Sequence, residues 1–194
     1  MSNAIDHVRV AELVSLFKGG DEAAFDELVK TFQRPVFNLA YRMLSSYEEA
    51  GDATQETFVK VYRSIDKFRG EARFATWLYA VASNMCRNQR RKLVRRKVEL
   101  QVLDIGNGED ERGMDPVDPG FGPRDRAQHG DIAEAVNKAL RDIPDDFATA
   151  VVMKDIQGLS YEDISEAMAC SMGTVKSRIA RGRGMVRDRL RGLL

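Results

Sequence analysis

Gly158-Leu-Ser-Tyr-Glu-Asp-Ile-Ser-Glu-Ala-Met-Ala-Cys-Ser-Met-Gly-Thr-Val-Lys-Ser-Arg-Ile-Ala-Arg-Gly-Arg183 is the stretch that decides the fold. Ser160 precedes Asp163 by three residues, the spacing of a capping box, so a helix opens there. Ile164, Ala167 and Met168 recur at helical spacing and form its inward side. Residues from about Ala169 to Met172 read as a short turn. Ser171 can then cap a second helix with Val175, Ile179 and Val186 facing inward. Thr174, Lys176, Ser177, Arg178 and Arg181 are left pointing away from the core. Two helices, a tight turn and outward hydroxyl and guanidinium groups make a helix-turn-helix. In that motif the second helix enters the major groove, and its first turns meet base edges. Arginine suits guanine O6 and N7, whereas serine and threonine are less selective. Arg183, Arg187, Arg189 and Arg191 are expected on phosphates. With ~5 phosphate contacts, affinity should fall with log salt at a slope of about −4 to −5.

Upstream, Ile132, Ala135, Val136, Ala139 and Leu140 mark a helix stopped before Pro144. Phe147, Val151, Val152 and Ile156 mark the next, ended by Gly158. Residues 104–124 combine five glycines and three prolines with six acidic groups. Apolar residues there are too sparse to offset ordering entropy, so a flexible acidic linker is expected. In the N-terminal half, Ala24, Phe25, Leu28, Val29 and Phe32 give one helix. Val36, Leu39, Ala40, Met43 and Leu44 give a second, opened by Pro35. A third runs from about Ala50 to Ile65. A fourth starts near Phe74 and runs into the basic segment 87–97. No alternating strand pattern is present. The expected fold is all-α: two small helical domains, 1–100 and 129–194, joined by the linker 101–128.

Net charge is zero, but it is unevenly spread. Residues 1–66 hold 7 basic and 11 acidic groups, residues 67–103 hold 10 and 2, residues 104–172 hold 6 and 16, and residues 173–194 hold 7 and 1. A phosphate backbone senses the field within about a Debye length of ~8–10 Å, not the sum over the chain. Two basic blocks, each beside a motif, therefore point to nucleic acid. In the first block Phe68, Phe74, Trp77 and Tyr79 crowd beside Arg69, Arg73, Arg87, Arg90 and Arg91. Aromatics among cations suit unpaired bases, at ~1–3 kcal/mol per stacked base, although Phe74 and Trp77 lie on an inner stripe and read first as core. Asp52, Gln55, Glu56 and Lys60 form the polar side of an amphipathic helix suited to docking a partner.

Other classes find little support. His7 and His129 are the only histidines and sit in no metal or triad pattern. Cys86 and Cys170 lie far apart and read as small buried residues, which suits a reducing cytoplasm. No Walker loop is present, and neither enzyme chemistry, metal nor cofactor is expected. No apolar run approaches the ~18 residues of a membrane span, and the start shows no signal-peptide pattern. A one-component helix-turn-helix regulator is the alternative, but no dimer helix or ligand pocket is apparent beyond residue 100.

The combination resembles the extracytoplasmic-function (ECF, group IV) sigma factors of bacterial RNA polymerase, in the sigma-70 family. The resemblance is carried by Asp52-Ala-Thr-Gln-Glu-Thr-Phe58, Phe68-Arg-Gly70, Phe74-Ala-Thr-Trp-Leu-Tyr79, Ala82-Ser-Asn84 and Gly173-Thr-Val-Lys-Ser-Arg178, in the family's order. It implies that the helix around Asp52, Gln55, Glu56, Phe58 and Lys60 binds the coiled coil of the polymerase β′ subunit. It implies that the N-terminal domain reads and opens the −10 element, through Arg69, Arg73, Tyr79, Asn84, Arg87, Asn88 and Arg91. Asn84 and a loop after Arg87 would hold a flipped base. The helix from Ser171 through Arg183 would read the −35 element as duplex. The linker would thread toward the RNA path, and the β flap and an anti-sigma factor are further implied partners. Opening DNA costs ~1.4 kcal/mol of stacking per step. Capturing one or two bases returns only a few kcal/mol, so polymerase must supply the rest.

Overall fold

The structure is a computed structural model that describes residues 6–102 and 133–191. Apart from its first two residues, the expected linker lies outside them. Every regular element among the described residues is helical. Asp6 opens α1 (His7–Lys18) by accepting the Val8 and Arg9 amides at 3.0 and 3.3 Å. Asp21 caps α2 (Glu22–Leu44) and Ser46 caps α3 (Tyr47–Ser64) in the same way. Each cap satisfies amides that a first turn leaves without helical partners. The sequence reading had placed no helix at α1. Yet Val10, Leu13, Val14 and Phe17 are buried there at the spacing of an amphipathic helix.

α2 corrects the expectation of two helices divided at Pro35. One helix of 23 residues runs through the proline. An interior proline costs ~3 kcal/mol. Leu28, Phe32, Val36, Leu39 and Met43 continue in phase across it and are each fully buried. At ~1.5–3 kcal/mol per buried side chain, that stripe outweighs the penalty.

A short 3-10 turn (Ile65–Lys67) and the loop 68–73 lead into α4 (Phe74–Val102). α4 is unbroken, so the loop expected after Arg87 does not exist. The sequence after Arg87 contains neither glycine nor proline and is rich in arginine, lysine and glutamine, all good helix formers. In the C-terminal half, residues 133–141 form α5. α6 (Asp145–Val151) widens into a π turn (Val152–Ile156), and Gly158 leaves it at φ +70. α7 (Tyr161–Ala167) and α8 (Met172–Arg191) follow. α8 packs tightly on α6 at Gly182, where an added Cβ would stand 2.6 Å from Val151 Cγ2 and 3.0 Å from the Phe147 carbonyl oxygen.

Leu28, Phe32, Leu39, Val61 and Leu78 centre the N-terminal bundle. Met153, Ile164, Val175 and Ile179 centre the C-terminal one. The buried apolar residues of the two form one cluster, because α4 packs on α7, and α2 on α6 and the π turn. Among the described residues, no helix is long and apolar enough to cross a membrane.

Candidate functional site

The C-terminal motif has the expected geometry. Ser160 Oγ accepts the Asp163 amide at 3.0 Å, and Asp163 Oδ2 accepts the Ser160 amide at 3.3 Å, which closes the capping box. Burial pushes the Asp163 carboxyl up. Hydrogen bonds donated by Ser160 and by the Thr76 hydroxyl, at 2.9 Å, prevail and hold it below the ordinary aspartate value. Ala169, in the left-handed region at φ +48, carries the turn. Ser171 Oγ accepts the Thr174 amide at 3.2 Å and opens α8. Val175 and Ile179 are buried. Ser171, Lys176, Ser177 and Arg181 are exposed, and Thr174 is half-buried.

Two arginines of this set are held. Arg178 donates to Asp146 Oδ2 at 2.5 Å. Arg183 Nε donates to Asp155 Oδ2 at 2.9 Å, and this hydrogen bond raises the guanidinium above its ordinary value.

The second basic surface lies on α4 and the loop before it. Arg69, Arg73, Asn84, Asn88 and Arg91 are exposed, and Arg87 is half-buried. Asn84, Arg87, Asn88 and Arg91 share one side of α4, at three- and four-residue spacing. Glu56, Met85, Asn88, Arg91 and Arg95 line a cavity of about 250 Å³, which brings an α3 residue beside the basic stripe.

Tyr79 is a correction. It is 4% exposed, because it falls on the inner stripe with Ala75, Leu78, Ala82 and Cys86, and burial pushes its hydroxyl up to about 12. It offers no ring to a base, and that assignment is withdrawn. Phe68, Phe74 and Trp77 pack on one another with ring centroids 5.3–6.0 Å apart, as core.

On α3, Asp52, Gln55, Glu56 and Lys60 are exposed along one side. Phe58 is buried and lines a groove of about 990 Å³ between α2 and α3, with Phe25, Val29, Phe37 and Tyr62. Tyr62 and Val59 remain 46% and 43% exposed, so this polar side borders an open apolar strip.

Asp145 and Asp146 occupy the first turn of α6, where acidic groups suit the helix dipole, but they also meet arginines from outside it. Nothing in a linear reading pairs residues 87 and 146. Cys86 is buried as expected, with its thiol pushed up to about 12, whereas Cys170 is only half-buried. Among the described residues, no His, Cys, Asp and Glu cluster is placed to hold a metal.

Comparison with known proteins fits this architecture. Residues 28–96 match Sigma-70 region 2, and residues 133–186 match Sigma-70 region 4. The chain is 36% identical over 184 residues to the ECF RNA polymerase sigma-E factor of Haemophilus influenzae, covering 94% of this chain and 95% of that protein. It is 35% identical over 185 residues to the RNA polymerase sigma-H factor of Pseudomonas aeruginosa, covering 94% of each. Among solved structures it resembles the sigma factor RpoE from Bartonella quintana, seen in complex with the anti-sigma factor NepR. That likeness has 25% identity and a TM-score of 0.64, over 86% of this chain and 96% of that one. The fold also matches CnrH, seen with the cytosolic domain of CnrY, at 20% identity and a TM-score of 0.65, over 96% and 97%.

The chain belongs to the ECF sigma factors of the sigma-70 family: it is a non-enzymatic RNA polymerase subunit that directs promoter-specific initiation of transcription. Region 2 over residues 28–96 sets aside the one-component regulator.

Proposed function

We propose that the two basic surfaces divide promoter recognition between them. α8 reads the −35 element as duplex through Ser171, Thr174, Lys176, Ser177, Arg178 and Arg181, with Arg183 on phosphate. Arg69, Arg73, Asn84, Arg87, Asn88 and Arg91 engage the −10 element as its strands open. The α3 side of Asp52, Gln55, Glu56 and Lys60, with Phe58 in the bordering groove, docks the β′ coiled coil of core polymerase. The 129–194 domain meets the β flap, and 1–100 folds as the other domain. The protein works in the cytoplasm, where its polymerase is, and an anti-sigma factor restrains it, as NepR partners the Bartonella relative.

One observation carries this reading. A helix-turn-helix with outward Lys176 and Arg181, and a separate helix with an exposed Asn84, Asn88 and Arg91 stripe, occur on one chain. The first suits base edges in a groove, and the second suits a strand with its bases available. Run-off transcription from a promoter library with core polymerase is the test. Promoter-specific transcripts should appear only when this chain is added, and equal transcription with and without it would sink the proposal.

A further inference from the structure

We propose that the free sigma factor closes on itself, with Asp146 of α6 occupying two arginines that would otherwise meet DNA. Asp146 stands at the centre. Its Oδ1 accepts from Arg87 Nη1 at 3.2 Å and its Oδ2 from Arg178 Nη2 at 2.5 Å. One carboxylate therefore joins an arginine of the α4 stripe to an arginine of the α8 reading helix. Asp145 stands 2.9 Å from Arg90 Nη1, an ion pair approached off the N–H axis. The Arg90 guanidinium also donates to the carbonyl oxygens of Arg141 and Ile143. These arginines are only 17–24% exposed along their side chains, whereas the Asp146 side chain is 43% exposed, so the guanidinium end of its pairs is the shielded one.

Further contacts hold the same arrangement. Asn137, 5% exposed, accepts from Arg42 at 2.6 Å, and its carbonyl oxygen accepts from Ser45 at 3.2 Å. Gln157 donates to the Pro35 carbonyl oxygen at 3.2 Å, and Thr76 to Asp163. Glu166 and Ala167 of α7 close one wall of a cavity of about 250 Å³ lined by the loop from Phe68 to Ala72. The C-terminal domain thus abuts the loop that precedes the α4 stripe and ties up an arginine on each reading surface. In this closed form neither DNA-reading set is complete. Phosphates, or a partner that draws the domains apart, must displace the Asp146 carboxylate before Arg87 and Arg178 engage DNA.

The consequence for DNA rests on the roles proposed above for Arg87 and Arg178, but the closure itself does not, so the test reads closure first. Small-angle X-ray scattering of the full chain should give a compact particle. Asp146→Lys should enlarge its radius of gyration, and adding Arg87→Glu, which restores an opposite pair, should reduce it again. Circular dichroism confirms that each variant keeps its helices. An Asp146→Lys particle with wild-type dimensions and helicity would overturn the proposal.

A second arm uses a 30-base-pair random duplex and fluorescence anisotropy. Asp146→Asn should bind several-fold more tightly than wild type. Asp26→Asn, which removes the same charge from an exposed position of α2 away from both reading surfaces, should change affinity less than two-fold. Equal gains from both variants would mean simple electrostatics and overturn the latch. If the scattering responds but neither variant changes DNA binding, the closure stands and the assigned DNA roles fail.

Discussion

The Asp163 carboxylate serves two structures at once, the cap of α7 and the Thr76 hydroxyl of α4. Its folded value lies below the ordinary aspartate value of ~3.9. A carboxylate depressed in this way contributes stability above its unfolded pKa and loses it as pH falls through the lower folded value. Asp163→Asn should therefore reduce stability at pH 7, and the gap between variant and wild type should narrow as pH falls through and below the ordinary aspartate range. Urea unfolding at a series of pH values checks this, and a gap that persists in acid would contradict it. The two cysteines should also separate cleanly. With its thiol at about 12, Cys86 carries almost no thiolate at pH 8, so Ellman's reagent should label the folded chain quickly at Cys170 alone. Two fast thiols would show that the Cys86 site opens. At this scale the sequence was readable where partners are close in the chain, as at Ser160 and Asp163. It failed where one aromatic position suits two roles. Tyr79 beside arginines looks like a stacking platform, and only the phase of its helix places it in the core.

Among the elements, α8 depends on the absence of a side chain at Gly182. Gly182→Ala places a methyl group 2.6 Å from Val151 Cγ2 and should cost ~1–3 kcal/mol as overpacking. Chemical denaturation measures that cost, and an unchanged midpoint would show that α6 and α8 can part without penalty. α3 invites the opposite kind of test. Asp52→Arg with Gln55→Ala alters two exposed groups, so the fold should survive while capture of core polymerase in a pull-down is lost. Unchanged capture would move the docking surface elsewhere. Helices were legible wherever apolar spacing was regular, and the helix-turn-helix was legible because caps, turn and outward cations agree. The division of α2 was misread because proline is a local signal, while the buried stripe that overrides it is a tertiary one. The π turn after Val151 left no mark in the apolar spacing.

For the whole molecule, the sequence revealed two helical groups and two basic blocks, but not that the groups pack on each other. Ion pairs between residues 87 and 146 are invisible without the fold. The same closure changes how DNA binding should respond to salt. Added salt screens the Asp145 and Asp146 pairs as well as phosphate contacts. Wild-type affinity for duplex should therefore fall less steeply with salt than that of Asp146→Asn, whose slope should approach about −4 to −5. Anisotropy titrations from low to moderate salt would show it, and parallel slopes would contradict it.

The continuity of α4 has one more implication. With no break after Arg87, the backbone advances ~1.5 Å per residue, so Asn84 and Arg91 stand on the order of 10 Å apart along one edge. That is roughly three steps of stacked bases at ~3.4 Å each. The stripe is in effect a graduated ruler whose marks are fixed by helical pitch. Inserting one alanine behind Arg87 would rotate every later mark by about 100°, leaving the charge intact while erasing the scale.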